Sequence, residues 1–329
     1  MTIRTVLSVA LLSATVLANV ASSQAPVSIP TPPPLPKGVP AFEVAQFDAS
    51  TWYGRFGYTN CSFVDMGDGV LVIDTGWTKQ DAENLKAQIK EKTKGKPVRW
   101  IVMTQTDVDS NGGIEAFLPT DATIFVHARA VDPLSRGVLR TMPGEKRPTV
   151  VGVVDRLVVN AGGGRLEMVA APGGAHSAYD LVAVTTNSGL AFVGDLVIAN
   201  RCPSMLSDAA DPAGWQRMLD RIRELGPAGL IATRGDPIKA VREELQRTGA
   251  YLDRVNKFLS EQKVKSSPEA RVAAELSLKS LGDYCPGPVD NANVLALYRR
   301  LRSDGTFAPP AEFAPALAKP TPAAGKAPR

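Results

Sequence analysis

Histidine is nearly missing from this chain, with two residues among 329, His127 and His176. A metal centre assembled from several imidazoles cannot be drawn from that supply, although tight zinc sites rely on nitrogen and sulfur donors. Cysteine is almost as scarce: Cys61, Cys202 and Cys285. An odd set leaves at most one disulfide and one thiol, and three pairings are open. Cys202 and Cys285 are each followed by proline in loop contexts, which favours that pair, whereas Cys61 lies in an apolar strand where a thiol packs as core. Long basic runs are also missing. With 37 basic against 33 acidic residues and a net charge of +4, no concentrated nucleic-acid face is expected. Beyond the N-terminus, no apolar run is long enough to cross a bilayer.

The N-terminus itself reads as an export signal. Arg4 precedes an apolar stretch from Val6 to Ala18, and the small residues of ANVASSQA offer cleavage after Ala18, Ser22 or Ser23. Residues 1–23 are therefore expected to be removed, which places the mature protein in the periplasm or outside the cell, with no membrane association. A proline-rich linker (24–41) follows, and a Pro/Ala-rich tail (308–329) is expected to be disordered. Between them, 42–307 reads as one body. Strands fit 58–66, 70–74, 98–104, 122–126, 150–159, 165–171, 180–186, 190–194 and 229–232. Helices fit 79–93, a short stretch near 112–117, and 211–225, with Asp211 as its cap and Pro212 in its first turn. Ile238, Val241, Leu245, Leu252, Val255 and Leu259 form one helical face, and 267–281 and 290–303 are expected to add two helices. Strand-rich halves with helices outside predict an α/β (α+β) fold, two mixed sheets packed face to face and flanked by helices.

The densest chemistry lies in WIVMTQTDVDSNGG, 100–113. A buried strand runs into a polar loop closed by Gly112 and Gly113. Gln105, Asp107 and Asp109 alternate, so in an extended chain their side chains point the same way and can converge on one point. These are oxygen donors where a zinc site takes imidazoles.

This loop resembles the signature of the metallo-β-lactamase superfamily, T-H-x-H-x-D-H-x-G-G. Thr104, Asp109, Gly112 and Gly113 match it, while Gln105, Asp107 and Ser110 stand where the family has histidines. GVLVIDTG (69–76) is similar to the preceding strand and Asp turn. GGAHS (173–177) is similar to the next ligand turn and keeps its histidine, His176. LAFVGDLV (190–197) is similar to the strand carrying the bridging aspartate, here Asp195. ATRGDP (232–237) places Arg234 at the last ligand position. The resemblance spans roughly 42–300 and implies an αββα sandwich with its site along one edge.

Laid out so, Asp107, Asp109 and Asp195 crowd one pocket and call for compensation. A guanidinium cannot ligate a metal but can fork onto carboxylates, so Arg234 is expected to pair with Asp109 and Asp195. The leading expectation is a site without a cofactor. The alternative is one divalent ion (zinc, manganese or magnesium) held by Gln105, Asp107, His176 and Asp195. Asp74 is expected to bond loop backbone, and His127 to be a strand-end histidine rather than a ligand. Trp77, Ser110, Asn111 and Arg234 are expected to line a binding surface, and Trp52 and Tyr53 either line it or pack as core. The reading is an exported protein with a decayed dinuclear site, non-catalytic or impaired, binding a small molecule or a protein partner there. The alternative is a hydrolase with one divalent ion, in which Asp109 or Asp195 activates water.

Overall fold

Both faces of the central strands are apolar in this chain, and that fixes the layering. The structure, a computed structural model, describes residues 31–141, 146–207, 209–265, 284–285 and 292–298. Seven strands form the first sheet in chain order: β1 (Phe42–Gln46), β2 (Thr51–Phe56), β3 (Thr59–Asp65), β4 (Val70–Ile73), β5 (Val98–Val102), β6 (Thr123–His127) and β7 (Thr149–Val153). The first four pair antiparallel; β4 through β7 pair parallel. Five strands form the second: β8 (Arg156–Ala161), β9 (Gly164–Ala170), β10 (Leu181–Thr185), β11 (Leu190–Gly194) and β12 (Gly229–Ala232). These are antiparallel except for the β11–β12 pair.

Side chains alternate across the strands into separate cores. Leu71, Ile73, Val102 and Phe125 meet Leu166, Met168, Ala183 and Phe192 between the sheets. Val70, Val72, Ile101 and Met103 turn outward onto Leu85 and Ile89 of α1 (Lys79–Lys92). Val169, Val182, Ala191 and Val193 turn the opposite way, onto Trp215, Leu219 and Ile222 of α4 (Pro212–Leu225) and Leu245 and Leu252 of α5 (Val241–Lys265). Burying each such side chain contributes roughly 1.5–3 kcal/mol. The result is the αββα sandwich. Two shorter α-helices, α2 (Val108–Asn111) and α3 (Val131–Arg136), and 3-10 turns at Gly112–Phe117 and Ala128–Ala130 lie between the strands of the first sheet.

Local signals set the helix ends. Thr78 and Asp81 form a reciprocal capping box at the start of α1. Asp211 accepts from the Ala213 amide, and Pro212 opens α4. Three readings need correction, and two strands were not anticipated. The single strand expected over 150–159 is two strands in different sheets, β7 and β8, because the chain crosses between layers at 154–155. The edge strand β1 and its neighbour β2 were not among the expected strands. Ile238 lies before α5, in a bridge to Leu230. The loop after β5 is extended only to Asp107 and then turns into α2. Segments 1–23, 267–281 and 308–329 lie outside the described residues; of 290–303, 292–298 is helical.

The C-terminal part is fastened to the loop after β11. Cys202 is disulfide-bonded to Cys285, and Cys61 is a buried thiol. Asn293, fully buried, accepts from the Met205 amide at 2.8 Å and donates to the Pro203 carbonyl at 2.9 Å.

Candidate functional site

Loops from both sheets meet at one sandwich edge. Asp74, in the turn after β4, takes a left-handed backbone with φ of 58°. Its carboxylate accepts from the Thr104 amide (2.8 Å), the Thr104 hydroxyl (2.7 Å) and the Asn111 side chain (2.8 Å). It thereby fixes where β5 ends and α2 begins. Burial pushes its pKa up to about 7, against those three hydrogen bonds. The two glycines are required by close approach: a Cβ at Gly112 would lie 2.2 Å from the Trp77 carbonyl, and one at Gly113 2.4 Å from that of Thr75.

Arg234 bridges the layers. Its guanidinium donates to Asp195 at 2.6 Å and, through its other terminal nitrogen, to Asp109. Arg234 and Asp109 retain about a quarter of their side-chain exposure, whereas Asp195 is 4% exposed. Asp195 also accepts from the Thr233 hydroxyl and, at 2.8 Å, from Gln105. Burial alone would raise the Asp195 pKa, but Arg234 and then His176 hold it well below the usual carboxylate range. Burial acts against the Arg234 charge, and Asp195 and Asp109 more than reverse that, raising its pKa.

His176 is buried, edge-on to Trp215 with ring centroids 5.6 Å apart. Its Nε2 lies 3.9 Å from Asp195; its Nδ1 lies 3.7 Å from Asp180 and 4.0 Å from Asp107. Burial lowers its pKa, but Asp180, Asp195 and Asp107 outweigh that and lift it to about 9. Asp107 stands at the mouth, and burial followed by the neighbouring Asp109, Asp195 and Asp180 raises it to about 6, against the pull of His176.

Sequence reasoning placed Gln105, Asp107, Asp109, His176, Asp195 and Arg234 here, and the structure brings these six together. Convergence of the loop's three residues comes from a helical turn rather than from an extended chain. Ser110 and Asn111, expected on a binding surface, are buried instead: Ser110 accepts from Gln105 at 2.9 Å, and Asn111 donates to Asp74 and to the Gln105 carbonyl. Trp77 is half-buried, edge-on to Tyr58. Trp52 stacks on Phe63 in the core and Tyr53 packs on the inter-sheet core. His127 bonds Ala171 and the Arg129 amide, away from the site.

Three contributors were missed. Asp180 receives the Ser177 amide (2.7 Å) and hydroxyl (2.8 Å), and the S-x-x-D spacing could have flagged it. Thr59 donates to the Asp109 carbonyl at 2.5 Å. Asn60 donates to the carbonyls of Ala232 (3.1 Å) and Gly235 (2.7 Å), clasping the turn that carries Arg234. Nothing local could have revealed a partner 172 positions away.

Donor chemistry decides what this constellation can hold. Both Asp195 oxygens are engaged, one by Arg234 and Thr233, the other by Gln105. A guanidinium occupies the position between Asp109 and Asp195 and has no lone pair to offer. A dinuclear metal centre does not fit these side chains. Among the described residues, no group of three His, Cys, Asp or Glu is arranged to hold a metal ion.

An αββα sandwich with two mixed sheets and site loops gathered at one edge defines a fold class. The sequence pattern of the metallo-beta-lactamase superfamily matches residues 54–233, and the chain belongs to that superfamily. A metallo-beta-lactamase from Pontibacter korlensis shares the fold with a TM-score of 0.54 at 22% identity, covering 64% of this chain and 99% of that one. One from Erythrobacter litoralis gives 0.52 at 19% identity, over 65% and 97%. In sequence, the alpha subunit of a 2,4-dinitroanisole O-demethylase from Nocardioides sp. (strain JS1661) is 24% identical over 140 residues, 43% of this chain. The match spans 42% of that relative's length.

Proposed function

We propose that this chain is an exported superfamily member in which a fixed internal cation has replaced the metal. It does not carry out metal-dependent hydrolysis, and it binds a small molecule or a protein partner at the remodelled site. One observation carries the reading: Arg234 spans Asp109 and Asp195 with both terminal nitrogens. Such a bridge supplies the positive charge that clustered carboxylates demand and leaves Asp195 no free oxygen.

The test is metal analysis and intact mass of the secreted protein. Zinc should be far below one ion per chain after dialysis, and the mature chain should start between residues 19 and 25. Two tightly held zinc ions would sink the replaced-metal reading, and a retained Met1 on a cytoplasmic product would sink export. A second reading, a hydrolase with one divalent ion, draws on Gln105 Oε1 and His176 Nδ1, both buried without a hydrogen-bond partner. It requires one tightly held ion that is lost, together with hydrolysis, in His176→Ala. The demethylase relative carries no substrate to this chain at 24% identity over a partial match.

A further inference from the structure

The two edges of the second sheet are finished differently. At one end the chain folds Ile238 back onto β12, where Leu230 and Ile238 exchange backbone hydrogen bonds of 2.9 and 2.8 Å. At the other end lies β8, paired with β9 in unbroken register from Arg156↔Val169 to Ala161↔Gly164. It has no bulge and no proline, two of the devices that usually blunt an edge. Its one charge, Arg156, is drawn back onto Glu167 at 2.6 Å. Among the described residues, the large apolar side chains left exposed are Val154 (77%) and Val158 (42%), both at this edge. Leu157 and Val159 point the other way, half-buried against the inter-sheet core.

Parity fixes which backbone groups face outward. The Ala170 amide donates to the Asp155 carbonyl at 2.8 Å, and Ala161 pairs with Gly164 across the turn between them. Asp155, Leu157, Val159 and Ala161 therefore turn their N–H and C=O toward β9, and Arg156, Val158 and Asn160 turn theirs to the open edge. Among the described residues, no hydrogen bond engages those three outward backbones.

We propose that β8 is a homodimer interface, separate from the Arg234 site: two copies pair β8 antiparallel across a two-fold axis through Val158, joining their second sheets into one. This register is the one that pairs all three outward residues. Val158 meets Val158 of the second copy and Arg156 meets its Asn160, twice by symmetry, each pair exchanging two N–H···O=C bonds. Valine is set on valine, and the strand's single charge faces a neutral amide, so no like charges oppose each other. The exposed Val158 is thereby covered by its own copy.

The test is sedimentation velocity of the purified chain over a concentration series up to about 1 mM, together with residue-level amide exchange. A monomer–dimer equilibrium is expected. The amides of Arg156, Val158 and Asn160 should be protected in the dimer and lose protection on dilution, whereas those of Leu157 and Val159, bonded to β9, stay protected throughout. Val158→Pro removes an outward N–H where an edge strand accepts proline, and should weaken the dimer at least about tenfold with the wild-type circular dichroism spectrum. Val158→Lys should also weaken it, by placing like charges on the axis, and keeps the test open if the proline variant does not fold. Asn160→Asp should tighten the dimer and Asn160→Lys loosen it, each at least about threefold, because each meets Arg156 twice. Four results would overturn the proposal. They are a monomer at every concentration, open-ended oligomers in place of a dimer, outward amides protected independently of concentration (another segment of the chain then covers the edge), or a dimer that the Val158 and Asn160 variants leave unchanged.

Discussion

Arg234 concentrates the consequences of this site in one side chain. Removing one partner of a buried ion pair costs about 3–5 kcal/mol. Arg234 and Asp109 are each 24% exposed, and solvent screens what they share, so Arg234→Ala should cost roughly 1–3 kcal/mol. Thermal melts read this directly, and an unchanged midpoint would remove the guanidinium from its proposed role. Arg234→His should also destabilise at neutral pH, since imidazole is mostly neutral there. Zinc or manganese added to that variant should recover part of the loss by binding the folded state. His127 gives a pH test clear of the site. Its Nδ1 accepts from the Arg129 amide while its Nε2 donates to the Ala171 carbonyl, a neutral tautomer. Burial first, then the Arg129 charge, holds its pKa below 6.5, against the Ala171 bond and Asp180. The folded state therefore binds fewer protons than the unfolded one. The histidine's contribution is complete above 6.5 and is lost as pH falls through 6.5 towards the folded value. The stability gap between wild type and His127→Gln should narrow from about pH 7.5 to about pH 5. Parallel curves would contradict this.

At the scale of elements, the start of β3 acts as a clasp between layers. Thr59 holds the carbonyl of Asp109 in α2, and Asn60 holds the turn after β12. Adjacent residues on one strand thus fix both ends of the Asp109–Arg234 bridge. Asn60→Ala leaves two carbonyls without their donor and should cost roughly 1–3 kcal/mol. If Asn60 works through Arg234, its cost and that of Arg234→Ala should fall short of additive in the double variant. Strict additivity would reduce Asn60 to a local strut, because coupled groups are the ones that depart from additivity.

Across the whole molecule, the Cys202–Cys285 bond joins residues 83 apart and ties the C-terminal part to the loop that follows the Asp195 strand. Closing a loop of that length restricts the unfolded chain, and Cys202→Ala/Cys285→Ala should lower stability by roughly 2–5 kcal/mol. Denaturant midpoints of oxidised and reduced protein check it; coincident midpoints would mean that Asn293 and the apolar contacts already suffice to hold that part. Export into an oxidising compartment, as proposed, is the setting in which such a bond persists.

Periodicity made most of the fold legible. Runs such as VLVI and LAFVG are apolar at every position because both faces of those strands are buried, α1 showed in the helical spacing of its apolar residues, and α4 in Asp211 and Pro212. The residues of the site were legible too, because four ordered segments resemble one family and the substitutions at Gln105, Asp107, Ser110 and Arg234 stand out against it. Sequence alone also limited the imidazole supply to two histidines. What only the tertiary structure decided is how those residues are used. The break at 154–155 separates the edge strand of one sheet from the edge strand of the other, and β2 pairs on β3 while β1 pairs on β2 at the sheet edge. Ser110 and Asn111 face inward because α2 turns them there. Asn60 reaches the Arg234 turn only once the two sheets are packed, whereas Asp180, four residues after His176, belongs to the same turn. Pairing across 125 positions, as between Asp109 and Arg234, leaves no local trace, since side-chain reach is short and only folding brings such groups within it.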